Sequence, residues 1–259
     1  MKFGSLFSGF GGIDLGLERA GLTCAWQVEI NEYATKVLAK HWPHVARFRD
    51  VRSVGMHTTN LATCYHPLTP VDLLCGGFPC QPHSTAGKRK ASQDERDFWP
   101  EFHRLICEIR PEWVLAENVW GILSSEHGRF FGGILRDLAA SGYDAEWRMF
   151  RACDFDYPHV RRRIFLLAYP MCRGRELVLC DRASVGREAR ARALETGTLD
   201  SVWSTLAQFE ERVGQPSVLR SADGISRPVE RLRGIGNAVV PDIAEYIGSC
   251  LLRTETSTL

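Results

Sequence analysis

The chain has 259 residues, 44% of them hydrophobic, 24% charged and 10% aromatic, which excludes an intrinsically disordered protein and leaves room for one large core with a small appendage. A formal net charge of +1 excludes an indiscriminate polycation, and nine cysteines, an odd number without a CxxC pair, argue against a disulfide framework or a zinc ribbon. The expectation is a protein of a reducing cytoplasm with no metal site; nothing at the N-terminus reads as a signal peptide, and no apolar run approaches the roughly 18 residues of a membrane span, so no membrane partner is expected.

Apolar runs of strand length alternate with segments of helical period, which predicts an α/β fold with a mostly parallel sheet and helices on both faces. Residues 2–8 read as the first strand. It runs into Phe7-Ser8-Gly9-Phe10-Gly11-Gly12 and a helix over 13–20, stopped by Gly21. A strand over 24–29 follows, then a helix over 31–40 capped by Asn31. Glycines at a strand-to-helix turn let a ligand approach the backbone, and Glu29, at the end of the second strand, could accept from both ribose hydroxyls of an adenosine. Asp50, near a third short strand, could reach an adenine amino group. These residues do not separate a nucleotide loop from an ordinary tight turn, nor NAD from S-adenosylmethionine.

A strand over 71–75 leads into Gly76-Gly77-Phe78-Pro79-Cys80-Gln81-Pro82, at the carboxyl edge of the sheet where open α/β folds bind ligands. Free cysteines are usually small core hydrophobes, and eight of the nine read so. Cys80 differs because prolines stiffen its loop and Gln81, His83 and Ser84 surround it with polar groups. A helix over 98–109 and a strand over 113–117 bring Glu117-Asn118-Val119 to the same edge. A helix over 130–140 comes next. Then Pro158-His159-Val160-Arg161-Arg162-Arg163 delivers cations just before a strand over 164–169. Arginine triplets are usually solvated, but this one abuts an apolar strand, which suits a specific anion or carbonyl partner. Alternation fails after residue 169, and a final helix over 242–253 is started by Pro241. Three regions are therefore expected: 1–170 catalytic and cofactor-binding, 171–226 a short recognition lobe, and 227–259 a segment returning to the first.

The order of these elements resembles the DNA (cytosine-5) methyltransferases over nearly the whole chain except roughly residues 171–215. Phe7 to Gly12 is similar to that family's cofactor loop, Glu29 to its ribose ligand, Asp50-Val51 to its adenine contact, and Pro79-Cys80-Gln81 to its nucleophile loop. Glu117-Asn118-Val119 matches its Glu-Asn-Val motif. Arg161 and Arg163 fall on the two arginines of its Gln-x-Arg-x-Arg motif, and Gly236-Asn237-Ala238-Val239 on its late Gly-Asn-x-Val segment. His159 stands where the family usually has Gln, and the region between the arginine motif and Gly236 is unusually short.

The resemblance implies a Rossmann-like methyltransferase fold with a small target-recognition lobe, S-adenosylmethionine as cofactor, and methyl transfer to carbon 5 of a cytosine flipped out of duplex DNA. It implies catalytic roles for Cys80 (attack at C6), Glu117 (proton at N3), Arg163 (donor to the cytosine O2) and Arg161 (holding Glu117 or the backbone). Cofactor contacts are expected from Phe7, Gly9, Phe10, Gly12, Glu29, Ile30, Asp50, Val51, Pro79, Trp99, Asn237 and Val239. DNA contacts are expected from Gln81, Ser84, Lys88, Arg89 and Arg96 in a loop over 82–97 that closes on the substrate. A monomer is expected, serving a restriction-modification system with a cognate endonuclease or protecting phage DNA. The alternatives are a tRNA cytosine-5 methyltransferase, a catalytically silent DNA-binding module, and an NAD-dependent oxidoreductase, disfavoured for want of a hydride-transfer constellation.

The 32 cations are five lysines, all before residue 91, and 27 arginines. Between Trp147 and Arg192 eleven arginines face five acids. Codon usage alone would favour Arg throughout, but this clustering beside the arginine motif suits DNA, where guanidinium groups contact phosphates and read guanine in the major groove.

Overall fold

In the computed structural model the described residues are 1–56, 66–79, 98–171 and 238–256. The first strand, β1 (Lys2–Leu6), leads through a glycine turn into α1 (Gly12–Arg19), followed by β2 (Thr23–Val28), α2 (Glu32–His41) and β3 (Ala46–Phe48). Asn31 caps α2 as expected, its side chain accepting from the Ala34 N–H at 2.9 Å. Two short strands, β4 (Val54–Gly55) and β5 (His66–Pro67), pair apart from the main sheet. Then come β6 (Leu73–Gly77), α3 (Trp99–Ile109), β7 (Trp113–Val119), α4 (Arg129–Ala140), β8 (Tyr143–Arg151), β9 (Arg162–Pro170) and α5 (Pro241–Thr256).

The seven-stranded sheet runs in the order β3-β2-β1-β6-β7-β9-β8. Six strands run in one direction; β9 alone runs against them, antiparallel to both β7 and β8. The chain first builds outward from β1 to β3, then returns to lay β6 on the other side of β1, with Leu6 opposite Gly76. Consecutive connections therefore diverge between β1 and β6, and this reversal opens a crevice at the carboxyl ends of the strands.

Alternate strand residues feed two cores. On one face Leu6, Trp26, Leu74, Val114 and Leu166 pack with Phe102, Leu105 and Ile106 of α3 and Ile134 and Leu138 of α4. On the other, Phe3, Leu73, Trp113, Leu115, Phe165 and Leu167 pack with Ile13 and Leu17 of α1 and Ile243, Ile247 and Leu251 of α5. The α1–α5 contact is close: a Cβ at Gly16 would collide with the Pro241 carbonyl and Ala244, and one at Gly12 with the Val239 carbonyl. Glycine at these two positions lets the C-terminal segment lie directly on α1.

Three sequence expectations are corrected. The third long strand covers 73–77, not 71–75, so Gly76 and Gly77 belong to the sheet. The strand that carries Glu117 runs on past 117 to Val119, and Arg163 lies inside β9, not just before it. A whole strand, β8, was missed; its alternation from Tyr143 to Arg151 carries Trp147 and two arginines on a polar sheet edge, which masked the strand period. The region 171–226 lies outside the described residues except for Met171, as does residue 237.

Candidate active site

The crevice between β1 and β6 is a cavity of about 690 Å³, within the usual range for a small-molecule site. Its walls come from the β1–α1 turn, the ends of β2 and β6, the segment at Asp50, the end of β7, Arg163 and residues 238–239. Of the expected cofactor residues, Phe7, Gly9, Phe10, Gly12, Glu29, Ile30, Asp50, Val51, Pro79 and Val239 all line it. Trp99 does not: it is 4% exposed, donates its indole N–H to Asp137 Oδ2 at 3.0 Å, and stacks on Phe102 and His103. Its neighbour Phe98 takes the wall position, edge-on to Phe7 at 5.6 Å.

At one end the Glu29 carboxylate is pinned from both sides. Its Oε2 accepts from the Gly9 N–H at 2.8 Å and its Oε1 from the Asn31 N–H at 2.7 Å, and each oxygen keeps further acceptor capacity on a residue that lines the cavity. Ile30 beside it is 59% exposed, an apolar surface on the cavity wall. Asp50 caps a 3₁₀ turn over Val51–Ser53 and is gripped by Arg52 at 2.7 Å, whose hydrogen bonds hold its carboxyl below the usual range.

At the other end stand Glu117 and Arg163. Glu117 is buried, and burial pushes its carboxyl up to about 7, against the opposing charges of Arg163 and Arg161. Arg163 Nε lies 2.8 Å from Glu117 Oε1 but its N–H is not aimed at that oxygen, which has no hydrogen bond among the described residues. The ion pair is thus electrostatic contact without full hydrogen-bonded satisfaction. Arg163 makes the close contact to Glu117; Arg161 bears on Glu117 through its charge and does not line the cavity. Burial also pulls Arg161 down to about 10, which leaves it a cation at neutral pH. Asn118 donates to the Phe78 carbonyl at 3.2 Å and accepts from the Val119 N–H at 2.8 Å, tying β7 to the segment that leads into residue 80. Cys80, Gln81, Ser84, Lys88, Arg89, Arg96 and Asn237 lie outside the described residues; Pro79, immediately before Cys80, is exposed on the cavity wall.

A family model of C-5 cytosine-specific DNA methylases matches residues 1–176. The chain belongs to that family. It is 34% identical over 167 residues to the type II methyltransferase M.HgiCII of Herpetosiphon aurantiacus, covering 64% of this chain and 36% of that protein. It is 39% identical over 166 residues to the type II methyltransferase M.Eco47II of Escherichia coli, covering 63% of this chain and 38% of that one. Among solved structures, an Escherichia coli prophage-encoded protein described as a DNA modification methyltransferase superposes with a TM-score of 0.57 at 27% identity, over 68% of this chain and 49% of that one. The chain thus spans well under two thirds of the length of each of these relatives. The fold is that of the S-adenosylmethionine-dependent methyltransferases, in keeping with the order of its sheet.

Several wall residues of this methylase cavity escaped sequence reasoning. Ser5 and Asp14 sit among apolar neighbours in β1 and α1, and an acid in so apolar a stretch was the available signal. Phe98 was read only as the start of a helix. Among the described residues no group of His, Cys, Asp or Glu is arranged to hold a metal ion, and no helix is long and apolar enough to cross a membrane.

Proposed function

We propose that this chain transfers a methyl group from S-adenosylmethionine to carbon 5 of a cytosine flipped out of duplex DNA. The observation that carries the reading is one cavity with a ribose-type carboxylate, Glu29, at one end and a buried carboxyl poised near neutrality, Glu117, at the other, with Cys80 following the wall residue Pro79.

The wall residues fit the cofactor. Glu29 keeps acceptor capacity on both oxygens, Ile30 and Phe7 offer apolar surfaces to a flat heterocycle, and Gly12 has no Cβ to fill the space against Val239. When bound, S-adenosylmethionine supplies an electrophilic methyl group on its sulfonium.

Cytosine C5 is a poor nucleophile until the ring is activated. The Cys80 thiolate adds to C6, and Glu117 delivers its proton to N3 as negative charge moves into the ring. Arg163 holds the resulting Glu117 carboxylate, its guanidinium already within 2.8 Å, and lines the cavity where it can donate to the ring oxygen O2. Arg161 adds positive potential behind both. After transfer, water takes the C5 proton, the Cys80 thiolate departs from C6 to restore the aromatic ring, and N3 returns its proton to Glu117. Flipping the nucleotide costs a few kcal/mol, which contacts to phosphate offset; Gln81, Ser84, Lys88, Arg89 and Arg96 are the proposed contacts. The setting proposed is restriction-modification or protection of phage DNA.

The test is transfer of labelled methyl from S-adenosylmethionine to duplex DNA of mixed sequence, followed by base-resolution mapping. Label at cytosine C5, lost in Cys80→Ala while cofactor binding persists, is expected. Label in tRNA and none in DNA would overturn the DNA assignment, and methyl transfer by Cys80→Ala would overturn the nucleophile.

A further inference from the structure

Six tryptophans lie among the described residues, and five of them are held by their own chain. Trp26, Trp42 and Trp99 donate their indole N–H groups to the Thr69 carbonyl, Glu18 and Asp137, Trp113 packs edge-on to Tyr169, and Trp147 packs edge-on to Phe131 at 5.2 Å. Trp120 is different. It is 46% exposed, and its side chain makes neither a hydrogen bond nor a ring contact among the described residues. The fold does not require it there: β7 ends at Val119, and the irregular 3₁₀ segment Trp120–Gly128 is anchored in the core by Ile122.

Its place in the chain puts this indole at the mouth of the cavity. Val119 lines the cavity and lies opposite Arg163, which lines it too. Trp120 follows Val119 directly, about 3.8 Å on along the backbone, and Arg162 directly precedes Arg163, so the two flank the last rung of the β7–β9 ladder. Arg162 is exposed, and its guanidinium has no ion pair or hydrogen bond among the described residues, whereas the arginines on either side of it bear on Glu117. Val160, two residues earlier, is exposed as well, at 42%.

A bare indole beside an exposed guanidinium suits a partner that presents flat aromatic faces next to phosphates, which is what nucleic acid does. On the reading of the cavity proposed above, a cytosine that leaves the helix exposes the faces of the bases it was stacked against, and covering one of them with an aromatic ring recovers part of the cost of flipping. We propose that Trp120 stacks on a base face opened by the departing cytosine while Arg162 takes an adjoining backbone phosphate. Trp120 is then a positioning residue: it keeps the gap in the helix occupied and the cytosine in the cavity, and touches no reacting atom.

The two contacts differ in what they contribute. Every base has a π-face, so the stack tolerates any sequence, and a phosphate contact carries no sequence information either. Trp120 and Arg162 therefore serve flipping and affinity, not the choice of site. The stack is insensitive to salt, whereas the guanidinium displaces a counterion from the DNA and is not.

The test is binding of the full chain, loaded with S-adenosylhomocysteine, to a duplex carrying one methylation site located by the mapping described above, read by fluorescence anisotropy. Trp120→Ala and Trp120→Leu should each weaken binding about tenfold and Trp120→Phe less than about threefold, because a ring and not apolar bulk is what stacks. None of the three should change the slope of log affinity against log salt concentration, which Arg162→Gln should reduce by about one. Affinity for S-adenosylhomocysteine should stay within about twofold in all four variants, as a control for folding. Abasic nucleotides then replace in turn the two neighbours of the target and the guanine opposite it. At one of these positions the wild type should lose about tenfold and Trp120→Ala nothing further, which marks the base that the indole meets. Trp120→Leu binding as the wild type does, or losses that simply add at all three positions, overturns the proposal, and an unchanged salt slope in Arg162→Gln overturns the phosphate contact. A wild type that binds tRNA and not the duplex overturns the DNA reading itself, a result distinct from these.

Discussion

Arg163 Nε stands 2.8 Å from Glu117 Oε1 because β7 and β9 run antiparallel with Glu117 opposite Phe165 and Val119 opposite Arg163. The two charged residues are diagonal neighbours on one face of the sheet, close enough for a long side chain to bridge. In a parallel arrangement the same motif would deliver the arginine to the opposite end of the strand. The antiparallel return of β9 is thus what pairs a carboxyl in one motif with a guanidinium in another, 46 residues later in sequence.

Glu117→Gln should cut methyl transfer by about a hundredfold or more, the usual worth of a positioned proton donor, while S-adenosylhomocysteine affinity changes less than about threefold. Single-turnover transfer to DNA and calorimetry measure the two separately. Equal loss of both would mean that Glu117 holds the cavity together and does not serve the reaction.

The rate of methyl transfer should fall as pH rises through about 7, because the proton-bearing form of Glu117 is then lost. Arg163 opposes protonation, so Arg163→Gln should move this alkaline limb to higher pH while lowering its plateau. A limb that stays in place in the variant, read from a single-turnover pH profile, would show that the titrating group is not Glu117.

The same carboxyl makes stability depend on pH. Its folded value of about 7 exceeds the ordinary 4.5, so between those limits the folded state binds more proton than the unfolded state, and stability falls as pH rises across that window. The denaturation free energy of the wild type minus that of Glu117→Gln should therefore decline by up to about 3 kcal/mol from pH 4.5 to pH 7 and then level off. Asp14 contributes a decline at lower pH in both proteins and cancels in the difference.

Gly12→Ala and Gly16→Ala place a methyl group against the Val239 and Pro241 carbonyls, between α1 and the C-terminal segment. Each should destabilise by about 1–3 kcal/mol, the usual cost of overpacking. Only Gly12→Ala should also weaken S-adenosylhomocysteine binding, because Gly12 and Val239 line the cavity and Gly16 does not. Thermal denaturation and calorimetry distinguish the two effects.

Trp99 and Ile30, both expected at the cofactor, should separate cleanly. Ile30→Ala removes an exposed apolar surface on the cavity wall and should lower cofactor affinity about fivefold with stability within about 0.5 kcal/mol. Trp99→Ala empties a core position and breaks its bond to Asp137, so it should cost about 3–5 kcal/mol of stability with little effect on affinity.

Much of this was determined by the sequence alone. Strand-to-helix turns, their glycines and the acid at the end of β2 are local features, set by backbone sterics and a period of two or 3.6, and such features are legible without knowing what packs where. The motif order was enough to show the family resemblance for the same reason. Other features were decided only by the tertiary structure. β8 was hidden because its charged edge residues break the apolar alternation, and Trp99 and Phe98 exchanged places because a helix's rotation about its axis depends on what it packs against. Asp14 reads in sequence as a polar residue in an amphipathic helix. Only the stacking of α1 on β1 and β2 buries it against Ser5 and Gln27, whose side chains then supply the hydrogen bonds that water no longer can.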